Sequence, residues 1–305
     1  MTAQTELEPR YKLSLAQYAL HRKIGGSGNI FIRNAKRLKY SMLERPADFF
    51  QSRLDPMDFP EFARKEFDIG AVEYVSGFYR GKAEDKTYLK ELKSRAEDNG
   101  VQNVLIMVDG EGILGAKDAS ERADAVQRHH KWIDAAAYLG CHAIRAFAFS
   151  DEESSYDERM NFAADGFAQL LDYADKQDID VVIENKGGLA ANAAWLVSMI
   201  EQVGHPRLGT LPDFGNFKIS ETETYDYIKG TREMMPYAKG VSVKAFDFDE
   251  NGDEQTFDFP ALMQIIADSG FRGYLGVEFE GGGMSEVEGI HKTKQLLERL
   301  IPQYQ

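Results

Sequence analysis

Cysteine is nearly missing from this chain. Cys141 stands alone, so no internal disulfide can form, and a reducing compartment suits it. Long apolar runs are missing too: no stretch approaches the roughly 20 residues that a membrane span needs, so no membrane partner is expected. The first residues, MTAQTELEPRYK, are acidic and carry no apolar core, which is expected of neither a signal peptide nor an anchor. The expected location is therefore the cytoplasm. Positive charge is in deficit, with 36 Lys and Arg against 50 Asp and Glu and a net charge of −14. No basic stripe exists to grip a phosphate backbone, so nucleic acid is not the expected partner. The remainder is ordinary globular composition, 43% hydrophobic and 28% charged. A length of 305 residues accommodates two small domains or one large α/β barrel.

Short β-rich runs alternate with longer amphipathic ones. Strands are expected at KLSLAQ (12–17), AVEYV (71–75), NVLIMV (103–108), AIRAFA (143–148), DVVIE (180–184), RLGTLP (207–212), GVSVKA (240–245) and YLGVEF (274–279). Helical patterns fall between them. One is YLKELKSRAEDNG, stopped by Gly100; another starts at Ser120 as N-cap and stops at Gly140. Strand–helix units repeating every 30 to 35 residues or so fit a (β/α)8 TIM barrel or a doubly wound sheet. Polar residues at strand ends decide for the barrel: Glu184, Asp213 and Glu278 sit where barrel active sites are built. A single domain over 1–305 is expected, with an N-terminal extension over 1–11 and an insertion over 18–57 after strand 1. That insertion holds GGSG and a basic run (Arg33, Lys36, Arg37, Lys39), and its length suggests a lid or an assembly contact, compatible with a homo-oligomer.

Strand parity decides which side chains share a space, because successive residues point to opposite faces. If Val181, Ile183, Val241 and Val243 face the helices, Glu184, Ser242 and Lys244 face the barrel, and Asp213 and Glu278 join them. Three converging carboxylates repel one another, so a positive group must lie between them. A divalent ion does this, and an oxygen-rich site suits Mg or Mn. Lys244 supplies part of the charge. The plainer alternative is simple pairing of these groups at the barrel rim.

The pieces VDGEG (108–112), CHAIR (141–145), VVIENKGG (181–188), TLPDFGNF (210–217), VSVKAFDFDENG (241–252) and GYLGVEFEGG (273–282) resemble the sugar phosphate isomerase/epimerase proteins of the xylose isomerase-like barrel superfamily. The resemblance runs from about residue 12 to 300 and implies a (β/α)8 fold. It also implies a divalent ion, Mn or Mg, bound by Glu, Asp, His and Glu from strands 5 to 8. The matching positions are Glu184, Asp213, Ser242 and Glu278, so serine replaces the implied histidine. Asn216 and Lys186 also stand where relatives often carry histidine. Metal held by the serine hydroxyl or water, and a metal-free site with Lys244 as the cation, are both compatible with these changes.

Isomerisation or epimerisation of a carbohydrate takes a proton from beside a carbonyl and returns it elsewhere, which needs a base, an acid and an electrophile. Glu184 and Glu278 are the candidate proton carriers and Lys244 the candidate electrophile. Lys186, Asn216, His21 past strand 1, and Glu73 and Asp109 near the tops of strands 2 and 3 are candidate substrate contacts, with surface or salt-bridge roles as alternatives. His142, His129, His130, Trp132 and Trp195 read as structural or surface residues. DFDENGDEQTFD (247–258) matches a calcium-loop pattern, but a strand precedes it and Asp258 fills the twelfth place, which favours an acidic turn. Gly281–Gly283 offers backbone N–H groups to a phosphate, or is a plain loop. Two further functions stay open: lyase-type cleavage of a 3-keto-glycoside, and a sugar-binding barrel with reduced catalysis. A DNA-cleaving barrel is disfavoured by six scattered histidines and the negative charge.

Overall fold

A computed structural model describes residues 9–25 and 53–304. In chain order the strands are β1 Tyr11–Ala16, β2 Ala71–Val75, β3 Gln102–Met107, β4 Ala143–Ala146, β5 Asp180–Glu184, β6 Leu208–Leu211, β7 Val241–Ala245 and β8 Gly273–Phe279. The helices after them are α1 Phe59–Phe67, α2 Lys86–Asp98, α3 Ala119–Leu139, α4 Tyr156–Ala174, α5 Ala193–Val203, α6 Tyr227–Met234, α7 Phe259–Asp268 and α8 Glu286–Leu300. Short helical turns over residues 17–25 follow β1 directly. Most of the expected 18–57 insertion, including its basic run, lies outside the described residues, as do residues 1–8 of the expected extension.

All strand pairs are parallel, in the order β6-β5-β4-β3-β2-β1-β8-β7. The seam between β6 and β7 closes the barrel through isolated bridges. Ser242 N donates to Pro212 O at 2.9 Å, and Lys239 N donates to Thr210 O at 3.1 Å. This is a single-domain TIM barrel, as its sequence rhythm predicts. Strand ends differ from expectation by one or two residues, the usual latitude at element termini.

The alternation of side chains sorts two cores. Val181, Ile183, Val241, Val243, Leu275 and Val277 pack outward against the helices. Ala16, Ala71, Val75, Leu105, Met107, Ala143, Val182 and Leu211 fill the inside. Three of these, Ala16, Ala71 and Ala143, are small, which leaves volume for polar side chains inside the barrel.

Helix boundaries follow capping chemistry. Asp118, not Ser120, caps α3: its carboxylate accepts from the N–H groups of Ser120 and Glu121, so the helix starts one residue before the expected cap. Gly140 ends it with φ of 81°, a backbone shape that favours glycine. Ser155 and Glu158 form a reciprocal capping box at α4. No helix among the described residues is long and apolar enough to cross a membrane.

Candidate active site

Glu184 ends β5, Asp213 follows β6, and Ser242, Lys244 and Glu278 face inward from β7 and β8. The barrel mouth gathers all five. Lys244 Nζ lies 2.9 Å from Asp213 Oδ2, 2.8 Å from Glu280 Oε1 and 4.0 Å from Glu278 Oε1. It also donates to Asn216 Oδ1 at 3.2 Å. Ser242 Oγ donates to Asp213 Oδ2 at 3.2 Å and, in a shorter contact, sits against Glu278 Oε2. Asn216 Nδ2 reaches Glu184 Oε1 at 2.5 Å, linking Glu184 to the lysine through one amide.

The backbone fixes Asp213. Its Oδ1 accepts from Gly215 N at 2.7 Å and Asn216 N at 3.1 Å, and its own N–H donates to Asn185 Oδ1 at 2.7 Å. Gly215 also makes room for the lysine: a Cβ there would stand 2.8 Å from Lys244 Cδ. Burial alone would lower the Lys244 pKa, but Asp213, Glu278 and Glu280 outweigh it and hold the ammonium well above the usual lysine range. Burial pushes Asp213 up, Lys244 opposes it, and Glu278 and Glu184 add to it.

Three further residues, Arg145, Glu280 and Asn185, belong to the site. Arg145 on β4 is only 4% exposed; its Nη1 donates to Asp109 Oδ1 at 2.8 Å and its Nε lies 2.9 Å from Glu184 Oε2. Its guanidinium rests over the Phe147 ring at 3.9 Å. The parity that turns Lys244 inward also turns Arg145 inward, between Ile144 and Ala146. Glu280 has the parity of Glu278 but lies one residue beyond β8. Asn185 gives no signal of its own, since its role depends on the β6 loop reaching it.

The remaining candidates divide by depth. Lys186 Nζ is 3.9 Å from Glu184 Oε1 and stands 5.6 Å over the Tyr18 ring and 5.7 Å over Phe147. Burial would lower its pKa, yet Glu184, Glu278 and Glu280 together more than offset this and raise it. His21 stacks on Tyr18 at 4.7 Å, and its Nδ1 is 2.8 Å from Tyr18 O and 3.4 Å from Glu286 Oε1. Glu286 in turn accepts from the backbone of Arg22 and Lys23, tying residues 17–25 to α8. Asp109 pairs with Arg145 and lines a cleft of about 470 Å³ with Ser76, Arg80, Glu111 and Trp132. The acidic segment 247–258 is a turn: Asp249 accepts from Asn251 N and Asp253 N, and Asp258 caps α7. Glu254 there spends Oε2 on the N–H groups of Thr256 and Phe257.

Glu73 is not at the top of strand 2. It sits in mid-strand, 1% exposed, filling space that Gly276 leaves on β8, where a Cβ would come within 2.7 Å of its Oε1. Ser14 Oγ donates to Oε1 at 2.6 Å, while Oε2 has no partner. Burial is the main cause of a pKa raised from 4.5 to about 7. The folded state therefore holds this proton over a range where the unfolded chain has released it. Stability from this group is full below the unfolded value of 4.5 and falls until pH reaches about 7. Glu73→Gln removes that slope. Between pH 4 and pH 8 the variant is expected to gain about 3 kcal/mol relative to the parent, measured by urea unfolding across pH. Parallel curves would contradict this.

Among the described residues, no three of His, Cys, Asp and Glu are placed to hold a metal ion. Asp213 spends Oδ1 on two backbone N–H groups and Oδ2 on Lys244 and Ser242. Glu184 faces Arg145 and Asn216. With Lys244 in this position, the donor set does not fit the Mn or Mg ion that the resemblance implies.

The sequence profile of the xylose isomerase-like TIM barrel family matches residues 63–301. A mouse protein named as a hydroxypyruvate isomerase is 26% identical over 227 residues, covering 68% of this chain and 80% of that one. The C-glycoside deglycosidase alpha subunit of Arthrobacter globiformis is 33% identical over 75 residues, which span only 23% of this chain and 21% of its own length. Two solved structures share the fold. An L-ribulose 3-epimerase superposes with a TM-score of 0.67 at 13% identity, covering 96% of this chain and 95% of that chain. A barrel protein from Mycobacterium smegmatis in complex with magnesium superposes with a TM-score of 0.63 at 14% identity, covering 96% and 98%. The profile spans most of the closed barrel, its carboxylate mouth included, and this chain belongs to the xylose isomerase-like TIM barrel family.

Proposed function

We propose that this protein is an isomerase or epimerase that moves a proton beside the carbonyl of a sugar or keto-sugar. One observation carries the reading: Glu184 and Glu278 enter the mouth from β5 and β8, each oriented by a hydrogen-bond donor and each near an ammonium group. One carboxylate takes the proton from the carbon next to the carbonyl. The C–H electron pair becomes the double bond of an enediolate, and negative charge moves to the carbonyl oxygen. Lys186, the more exposed of the two lysines, and Lys244 beneath it supply positive potential for that oxygen. The second carboxylate returns a proton, on the opposite face for epimerisation. Asn216 and His21 flank the opening, and the cleft beyond Asp109 has room for the rest of a substrate.

Lyase-type cleavage of a 3-keto-glycoside starts with the same proton removal. The stretch shared with the C-glycoside deglycosidase subunit favours keeping such substrates in the test. The test is incubation in deuterium oxide with a panel of ketoses and 3-keto sugars. We expect one deuterium at the carbon beside the carbonyl of a substrate, read by mass spectrometry. Sugar binding without exchange anywhere in the panel would leave a binding barrel in place of an enzyme.

A further inference from the structure

Four carboxylates meet at this mouth, Glu184, Asp213, Glu278 and Glu280, and a cluster of that kind binds a cation wherever space is left for one. We infer that the ammonium of Lys244 is the resident cation of this carboxylate cage and closes it to divalent ions. Nζ takes the central place, 2.9 Å from Asp213, 2.8 Å from Glu280 and 4.0 Å from Glu278. A Mg, Mn or Ca ion binds carboxylate oxygens at about 2.0–2.6 Å, so it cannot share Asp213 and Glu280 with an ammonium already in contact with both. Lys244 is 1% exposed, and the missing side chain at Gly215 lets its stem through, so the lysine is built into the wall. Beside it, Ser242 offers a neutral hydroxyl that is already bonded between Asp213 and Glu278. Arg145 covers the Glu184 side in the same way. Three cations, the buried Arg145 and Lys244 and the half-exposed Lys186, thus face four carboxylates. A further dication among them would be repelled by all three.

We rest on the proton-transfer reading only for what this cation does; metal occupancy is a separate measurement. The full chain is purified without chelator, its metal content is read by elemental mass spectrometry, and its melting temperature is followed with added MnCl2, MgCl2 or ZnCl2. The parent chain is expected to carry no stoichiometric ion and to melt at an unchanged temperature. Lys244→Met and Lys244→Gln empty the cage of its cation, so both melt lower than the parent and recover with Mn. At about 100 times the dissociation constant, a rise of roughly 5 °C is expected. One tightly held ion per chain in the parent, or a folded Lys244 variant that neither binds nor responds to any of the three ions, would overturn the inference. Should Lys244→Met fold only with ion present, that is the expected result in stronger form. If neither variant folds with or without ion, removing Lys244 has not opened a usable cation site, and the inference falls as well. Failure of any of these leaves the deuterium-exchange result untouched, and the reverse also holds.

Discussion

Glu184→Gln and Glu278→Gln are each expected to cut deuterium exchange into substrate by roughly 100- to 10,000-fold, the range typical of a positioned general acid or base. Glutamine keeps the shape of the side chain and removes the proton-carrying oxygen. The two variants differ in what else they disturb. At Glu278 the Ser242 hydroxyl can rotate to suit an amide, so the local network survives. At Glu184 one oxygen faces Arg145 and the other accepts from Asn216, so an amide nitrogen must face one of two donors. Glu184→Gln is therefore expected to lose some stability as well as activity, and Glu278→Gln mainly activity. The double variant should lose little more than the worse single one, because the two groups act in one sequence of proton transfers. Exchange that survives both changes at the parent rate would remove these carboxylates from the chemistry.

The fold and half of the site are legible in the sequence for one reason: a parallel barrel strand has period two and two different neighbours. Val241 and Val243 declare the helix side of β7, so Ser242 and Lys244 have only the interior left. The same logic confined to strands 5 to 8 passes over Arg145 on β4, whose neighbours Ile144 and Ala146 mark the helix side as plainly. Glu73 shows where parity stops. The expected place near the top of strand 2 is wrong because depth along the barrel axis depends on register, and on Gly276 of a distant strand leaving a space. The replacement of the expected cap Ser120 by Asp118 is a local competition between two good capping residues two positions apart. Asn185 holds a loop whose partner, the Asp213 backbone, is brought by tertiary contact, and nothing in its own sequence neighbourhood announces it.

Arg145→Met is expected to destabilise the protein by roughly 3–5 kcal/mol, the cost of breaking a buried ion pair from one side. The guanidinium is sealed among Asp109, Glu184, the Val108 carbonyl and the Phe147 ring. Methionine refills most of the volume and keeps contact with Phe147, so packing loss is a minor part of the effect. The larger part is electrostatic: Glu184 is left buried near Glu73 with Asn216 and the half-exposed Lys186, 3.9 Å away, as its remaining support. If that account holds, Glu184→Gln in the Arg145→Met background should restore part of the loss, because it removes the charge that the arginine had balanced. Urea midpoints of the parent, both single variants and the double variant give the coupling directly. Purely additive losses, or an Arg145→Met loss below about 1 kcal/mol, would mean that Arg145 fills space at the mouth without balancing its charge.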